Sequence, residues 1–277
     1  MTTASVCVPV YNGARYVAAC VSSILTQTHQ DLQVIVVDNA STDGTRAVLA
    51  PFLADSRVTL LTSDKTIPAA DNWNRALAEA EAEFVKLVCA DDVLDATCVE
   101  RQLQAAQADP DVVLVAAQRR IIDAAGTVVR PRHGLGRLEG TVPGPTAVRE
   151  CVRAGTNLLG EPAAVLMRRT ALERAGPFDG AYAYLIDLEL WCRLLSLGQL
   201  VALREPLADF RVHGESWSAG LAAEQAAQTR GLLRRLGRDT AEIRSSDVRR
   251  GMLRASVLAR GRRIAYRRWS RPEAVTP

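Results

Sequence analysis

The chain has 277 residues, 48% of them hydrophobic, with a formal net charge of +3. That is enough for one large core with an appendage, and no apolar run approaches the ~18 residues of a membrane-spanning helix. Charge is unevenly placed: 14 Arg stand against three acids between Arg230 and Arg271, so this tail carries about +11 and the body about −8. The six cysteines, Cys7, Cys20, Cys89, Cys98, Cys151 and Cys192, form no CxxC pair and no metal-ligand spacing. They read as free thiols in a reducing compartment. Strand-like residues begin almost at once, so no signal peptide is expected and a cytoplasmic protein is.

The predicted elements begin with a strand over Ser5–Val10 that ends at Pro9, Asn12 and Gly13. Val17, Cys20, Val21, Ile24 and Leu25 then follow helical spacing. A second apolar run, Leu32–Val37, is closed by Asp38-Asn39-Ala40-Ser41-Thr42-Asp43-Gly44, and a helix to about Phe52 follows. Val58–Leu61 is a third strand, Asp71–Ala82 a helix and Phe84–Ala90 a fourth strand. This alternation predicts an α/β fold with a mostly parallel central sheet flanked by helices. Right-handed crossovers put the loops after these strands on one edge, where open α/β sheets bind ligands.

Beyond a strand at Val112–Ala116 the pattern loosens. Ile121–Val129 reads as a hairpin and Arg130–Pro145 as a loop rich in Gly, Pro and Arg. Ala163–Met167 is a strand, Asp187–Leu197 a helix, and Leu200–Leu203 and Leu207–Val212 are two short strands. From about Ala219 the chain is Ala/Arg/Leu-rich helix, so two units are expected, 1–219 and a basic helical extension over 220–277.

Three strand ends carry the chemistry. VPVYNG lacks the G-x-G-x-x-G that admits a pyrophosphate to a helix N-terminus, which disfavours a dinucleotide dehydrogenase. Tyr11 there could lie against a base or be an ordinary loop tyrosine. Asp38 ends the second strand, where it could accept from a base or ribose, or serve an Asx-turn. Asp91 and Asp92 end an apolar run, and burying an unpaired carboxylate is costly. One acid could cap the helix starting near Ala96; a divalent cation with a substrate diphosphate accounts for both.

VPVYNG, VVDNASTDGT, VCADD, IDLELW and FRVHGES, in this order, resemble the motifs of family 2 of the inverting glycosyltransferases over roughly residues 4 to 217. The resemblance implies the single-domain, Rossmann-like nucleotide-sugar fold called GT-A. It implies that Pro9, Tyr11 and Asp38 hold the base, with Asn12 in the same nucleotide-sugar loop. Asp91 would meet ribose or metal, and Asp92 a Mn²⁺ or Mg²⁺ ion bridging the diphosphate. Asp187 matches the catalytic base of E-D-x-D-L-W, although Ile186 stands where a Glu is common, and Glu189 reads as structural. His213 would lie near the leaving diphosphate and the metal, Arg211 near phosphate, and Asn72 and Asn74 near the diphosphate and sugar. Cys89 stands where the family often has a further acid.

The implied activity is transfer of one sugar from a nucleoside-diphosphate sugar, UDP first among the candidates, to a hydroxyl of a glycan, lipid-linked or small-molecule acceptor. No nucleic-acid partner is expected. A nucleotidyltransferase and a non-catalytic nucleotide-sugar-binding protein remain the alternatives. Two readings of the tail also stay open. It is either a solvated or oligomer-contact face, or a basic amphipathic surface docking at the inner face of the membrane.

Overall fold

The computed structural model describes residues 3–269 except 215, 222 and 223, with the backbone alone described at 218, 219 and 262–269. Glu215 of the FRVHGES motif and Arg271 of the tail lie outside the described residues. The chain opens with β1 (Ala4–Val10), α1 (Val17–Leu25), β2 (Leu32–Asp38), α2 (Thr45–Leu49), β3 (Val58–Thr62), α3 (Ala69–Ala78), β4 (Phe84–Leu87), β5 (Val93–Leu94) and α4 (Cys98–Gln107). It continues with β6 (Val112–Ile122), β7 (Val128–His133), β8 (Gly140–Pro143), α5 (Gly144–Ala154), β9 (Val165–Arg168), α6 (Arg169–Ala175), α7 (Ile186–Leu195) and β10 (Gln199–Arg211). Three helices close it: α8 (Trp217–Gly220), α9 (Gln225–Asp239) and α10 (Ser245–Trp269).

The strands form a mixed sheet in the order β3-β2-β1-β4-β9-β6-β10-β5, with β7 on β6 and β8 on β10. β1, β2, β3, β4, β6 and β10 point one way, and β9 runs against its neighbours β4 and β6. Period-2 alternation divides each central strand between two cores. Cys7, Ile35, Val37, Val85 and Leu87 face the layer of α3, α5, α6, α7 and α9. Val6, Val8, Val34, Val36 and Phe84 face α1, α2 and α4. Both faces are covered, which is why these strands read as continuous apolar runs.

Several predicted boundaries move for identifiable reasons. The β4 ladder ends at Leu87, and a turn closed by Asp92 N–H to Cys89 O (3.0 Å) follows. Lys86 interrupts the apolar run and is fully buried. Its ammonium donates to Gln102 Oε1 (2.9 Å) and the Val165 carbonyl (3.1 Å), and burial pushes its pKa down. The two short strands predicted over 200–212 are one strand, β10, whose register shifts around Pro206 absorb the missing N–H. The predicted 130–145 loop supplies β7 and β8, paired to the long β6 and β10.

The basic extension is packed onto the α/β body. Leu232, Leu233, Leu236 and Ile243 belong to the same core as α7. Glu189 of α7, 1% exposed, pairs with Arg193 (2.7 Å) and with Arg235 of α9 (2.5 Å). On α10, Asp247 pairs with Arg149 (2.8 Å) of α5. A Cβ at Gly251 would fall 1.9 Å from the Val152 carbonyl oxygen, so α10 crosses the end of α5 backbone against backbone. Among the described residues, no helix is long and apolar enough to cross a membrane.

Candidate functional site

The turns after β1 and β2 are tied together before any ligand is considered. Asn12, at φ +49°, accepts the Thr42 N–H on Oδ1 (2.8 Å), while its own N–H donates to Ser41 Oγ (2.9 Å). Gly13 N–H donates to Thr45 Oγ1 (2.9 Å), and Asp43 accepts from Ala14 N–H (3.0 Å). A Cβ at Gly13 would lie 2.5 Å from Val10 Cγ2, so only glycine closes this turn. Asp38 is fully buried beneath, accepting from Ser41 N–H (3.1 Å) and pairing with Arg46 Nε (2.6 Å). Tyr11 is left 52% exposed at the rim.

The turn after β4 gathers the acids. One ligand atom each from Cys89, Asp91 and Asp92 lies within 4.8 Å of the others. Asp92 is fully buried; its Oδ1 accepts the Arg211 N–H (3.0 Å) and its Oδ2 has no hydrogen-bond partner among the described residues. Burial pushes the Asp92 carboxyl well above the usual range and the Asp91 charge adds to this, against the Arg211 N–H. Asp91 is partly exposed and lies 3.0 Å from His213 Nε2. A buried, unpartnered oxygen beside a second carboxylate fits a divalent cation, and the donors offered are two carboxylates and a thiol.

Arg211 is committed to backbone. Its Nε donates to the Asp91 carbonyl (2.8 Å) and Nη1 to the Asp123 carbonyl (3.2 Å), with the guanidinium carbon 4.6 Å from the Tyr16 ring centroid. It holds the turn in place. His213 packs against the same Tyr16 ring, with centroids 4.9 Å apart and planes tilted by 46°.

Asp187 sits in the first turn of α7. Its Oδ1 accepts the Leu188 N–H (2.6 Å) and its Oδ2 the Asn157 amide (2.9 Å). Burial pushes the carboxyl up to about 7 and the Glu161 charge adds to the rise, while the Leu188 N–H, Asn157 and Arg119 hold it back. Burial opposes the charge on Glu161 as well, yet the ion pair with buried Arg119 keeps its carboxyl below the usual range. Asn157 also donates to the Gly160 carbonyl (2.9 Å), and fully buried Trp191 donates its indole N–H to the same oxygen (3.0 Å). The tryptophan of IDLELW thus locks the loop that positions the aspartate.

One cavity of about 1150 Å³ brings these parts together. Pro9, Tyr11, Asn12, Asn72, Asp91, Asp187 and His213 line it. Asp38, Asn74, Asp92 and Arg211 do not. Asn74 is used instead to bridge Phe178, donating to its carbonyl and accepting its N–H. The walls also include residues outside the predicted set, among them Arg119, Asn157, Glu161 and Asn39. Asn39 follows Asp38 directly and clamps Ile67 through both backbone groups (2.9 Å each), which turn-forming composition alone does not reveal.

The chain belongs to Glycosyl transferase family 2, whose model matches residues 5–176. A Mycobacterium tuberculosis protein, MT1568, is 30% identical over 198 residues, covering 69% of this chain and 61% of that protein. Glycosyltransferase GlyG of Streptococcus pneumoniae is 36% identical over 112 residues, or 40% of this chain and 37% of its own length. The chain therefore spans less than two thirds of these relatives. The Escherichia coli UDP-Glc:alpha-D-GlcNAc-diphosphoundecaprenol beta-1,3-glucosyltransferase WfgD is 35% identical over 99 residues, 36% of this chain and 39% of its own. In fold, the chain is similar to S. aureus TarS 1-349 solved with UDP-GlcNAc, at a TM-score of 0.72 and 16% identity over 94% of this chain and 74% of that one. It is also similar to the Pyrobaculum calidifontis mannosyltransferase PcManGT solved with GDP-Man and Mn²⁺, at a TM-score of 0.58 and 19% identity over 96% and 82%. The architecture is GT-A.

The raised Asp187 carboxyl has a consequence for stability. Between the ordinary Asp value of about 4 and the folded value of about 7, the folded chain binds more protons at this group than the unfolded chain. Its contribution is present below pH ~4 and is lost as pH rises through ~7. Thermal unfolding should therefore show Asp187→Asn gaining stability relative to wild type from pH ~4 to ~7 and levelling off above. A difference independent of pH would show an ordinary carboxyl.

Proposed function

We propose that this chain transfers a single sugar from a nucleoside-diphosphate sugar, with UDP as the nucleotide, to an acceptor hydroxyl, inverting the anomeric carbon. The setting is assembly of a glycan, glycolipid or secondary metabolite. The observation that carries the reading is that Asp187, with a carboxyl pushed up to about 7, faces the same cavity as the strand-end acid Asp91. The choice of UDP rests on the sugar nucleotides named for TarS and WfgD.

We assign the nucleotide to Pro9, Tyr11 and Asn12, and the diphosphate and sugar to Asn72, Asp91 and His213. Asp38, Asn74 and Arg211 brace those walls from behind. Asp91 and Asp92 would hold a Mn²⁺ or Mg²⁺ ion, which would supply positive charge to stabilise a departing diphosphate. Asp187 accepts the proton of the acceptor hydroxyl as that oxygen attacks the anomeric carbon. The bond from that carbon to the diphosphate oxygen breaks, and its electron pair leaves with the nucleotide. Asn157 and the Leu188 N–H hold the Asp187 oxygens in place for this transfer. Fixing both reactants in one cavity lowers the entropic part of the barrier.

We assign the acceptor to the apolar part of the cavity wall that Trp217, Leu221, Val257 and Leu258 contribute. On α10, Leu253 and Val257 are 73% and 68% exposed, and Arg249, Arg250, Arg254 and Arg260 on the same helix are exposed too. These observations favour peripheral contact with anionic lipid, which would present a lipid-linked acceptor at the mouth. The chain should sediment with anionic but not zwitterionic vesicles, and Leu253→Glu with Val257→Glu should abolish this. Equal sedimentation by the double variant would remove the membrane reading.

Sugar transfer itself is tested at Asp187. Asp187→Asn should lower kcat by at least about 100-fold, the usual worth of a general base, with UDP binding retained. Wild-type kcat should fall as pH drops through about 7, because the protonated carboxyl cannot accept a proton. Transfer undiminished in Asp187→Asn would contradict the assignment.

A further inference from the structure

We infer that Cys89 is itself a ligand in the strand-end cation site, and that its thiol shifts the site toward thiophilic divalent ions such as Co²⁺, Zn²⁺ and Cd²⁺ and away from Mn²⁺ and Mg²⁺. The inference rests on the proposed reading of Asp91 and Asp92 as cation ligands.

Three observations carry it. The turn that Asp92 N–H closes onto the Cys89 carbonyl brings the Cys89 sulfur and the two carboxylates within 4.8 Å of one another. Asp92, which contributes to that cluster, has a buried Oδ2 with no hydrogen-bond partner among the described residues. Cys89 also differs from the other cysteines: Cys7, Cys20, Cys98, Cys151 and Cys192 are buried, whereas Cys89 is half-buried and lines the cavity. The plainer reading, a small apolar filler beside Cys20, explains the sulfur's packing. It leaves the buried Asp92 Oδ2 beside a second carboxylate with no partner among the described residues.

The chemistry follows from the donor set. Thiolate is a soft ligand that favours zinc-like ions, whereas carboxylate and water suit Mg²⁺ and Mn²⁺. A coordinating thiol loses its proton, which passes to solvent as the ion enters. The charge then equals that of three carboxylates, with the preference moved from hard to soft ions.

The test needs no turnover. Co²⁺ added to the full chain with UDP should produce a near-ultraviolet sulfur-to-cobalt charge-transfer band in wild type, absent in Cys89→Ser. Calorimetry should show Cd²⁺ binding weakened on the order of 10-fold or more in Cys89→Ser, the scale on which even outer-sphere changes act. Cys89→Asp should reverse the order, strengthening Mn²⁺ and weakening Cd²⁺. In wild type alone, Cd²⁺ with UDP should protect Cys89 from alkylation, a readout that does not depend on any variant folding. Co²⁺ and Mn²⁺ binding without the band, equal in Cys89→Ser and without protection of the thiol, would overturn thiol ligation and leave the carboxylate site standing. No binding of any divalent ion, with or without UDP, would overturn both.

Discussion

A carboxylate at the end of a strand covered on both faces must meet a proton or a cation, and Asp92 is such a group. Its buried Oδ2 has no partner among the described residues, and Asp91 beside it makes ionisation harder still. The site is arranged around relieving that charge. Arg211, the nearby guanidinium, offers Asp92 only its backbone N–H and spends its side chain on the Asp91 and Asp123 carbonyls. A divalent ion held by the acid pair, as proposed above, would supply the positive charge that Asp92 lacks.

The rest of the cleft is pre-set around this point. Asn12, Gly13 and Asp43 bind the turns after β1 and β2 into one wall. Opposite them, Trp191 and Asn157 meet on the Gly160 carbonyl and fix the loop that faces Asp187. Behind α7, Glu189 is held by Arg193 and Arg235, so the helix bearing Asp187 is anchored by the basic extension. Reacting groups on regular elements, braced by buried hydrogen bonds, suit chemistry that depends on orientation. Keeping Asp187 half-buried costs stability above neutral pH, and the same burial raises its carboxyl into the range useful to a general base.

Much of this was legible in the sequence. The alternation of apolar strands and amphipathic helices gave the order β1 to β4, and the turn-rich ends of β1, β2 and β4 do converge on one cavity. Period and composition were weaker guides where polar residues are buried. Arg119 stopped the apparent strand at Ala116, although β6 runs on to Ile122, because its partner Glu161 is 42 residues away and pairing at that range leaves no local pattern. Asn157 was hidden for the same reason: it meets Asp187 across 30 residues. In the tail, a count of arginines could not separate Arg235, half-buried and paired with Glu189, from Arg254, which is exposed. Gly251 carried no signal until its contact with Val152 was seen.

The central claim is that the acid pair after β4 binds a cation together with a nucleotide diphosphate. Its most direct test is a calorimetric titration of UDP with Mn²⁺ and with chelator, on wild type and on Asp92→Ala. The account predicts binding that requires the ion and is lost in the variant. Tight UDP binding that ignores both the chelator and the substitution would contradict it, and would make Asp91 and Asp92 part of the scaffold.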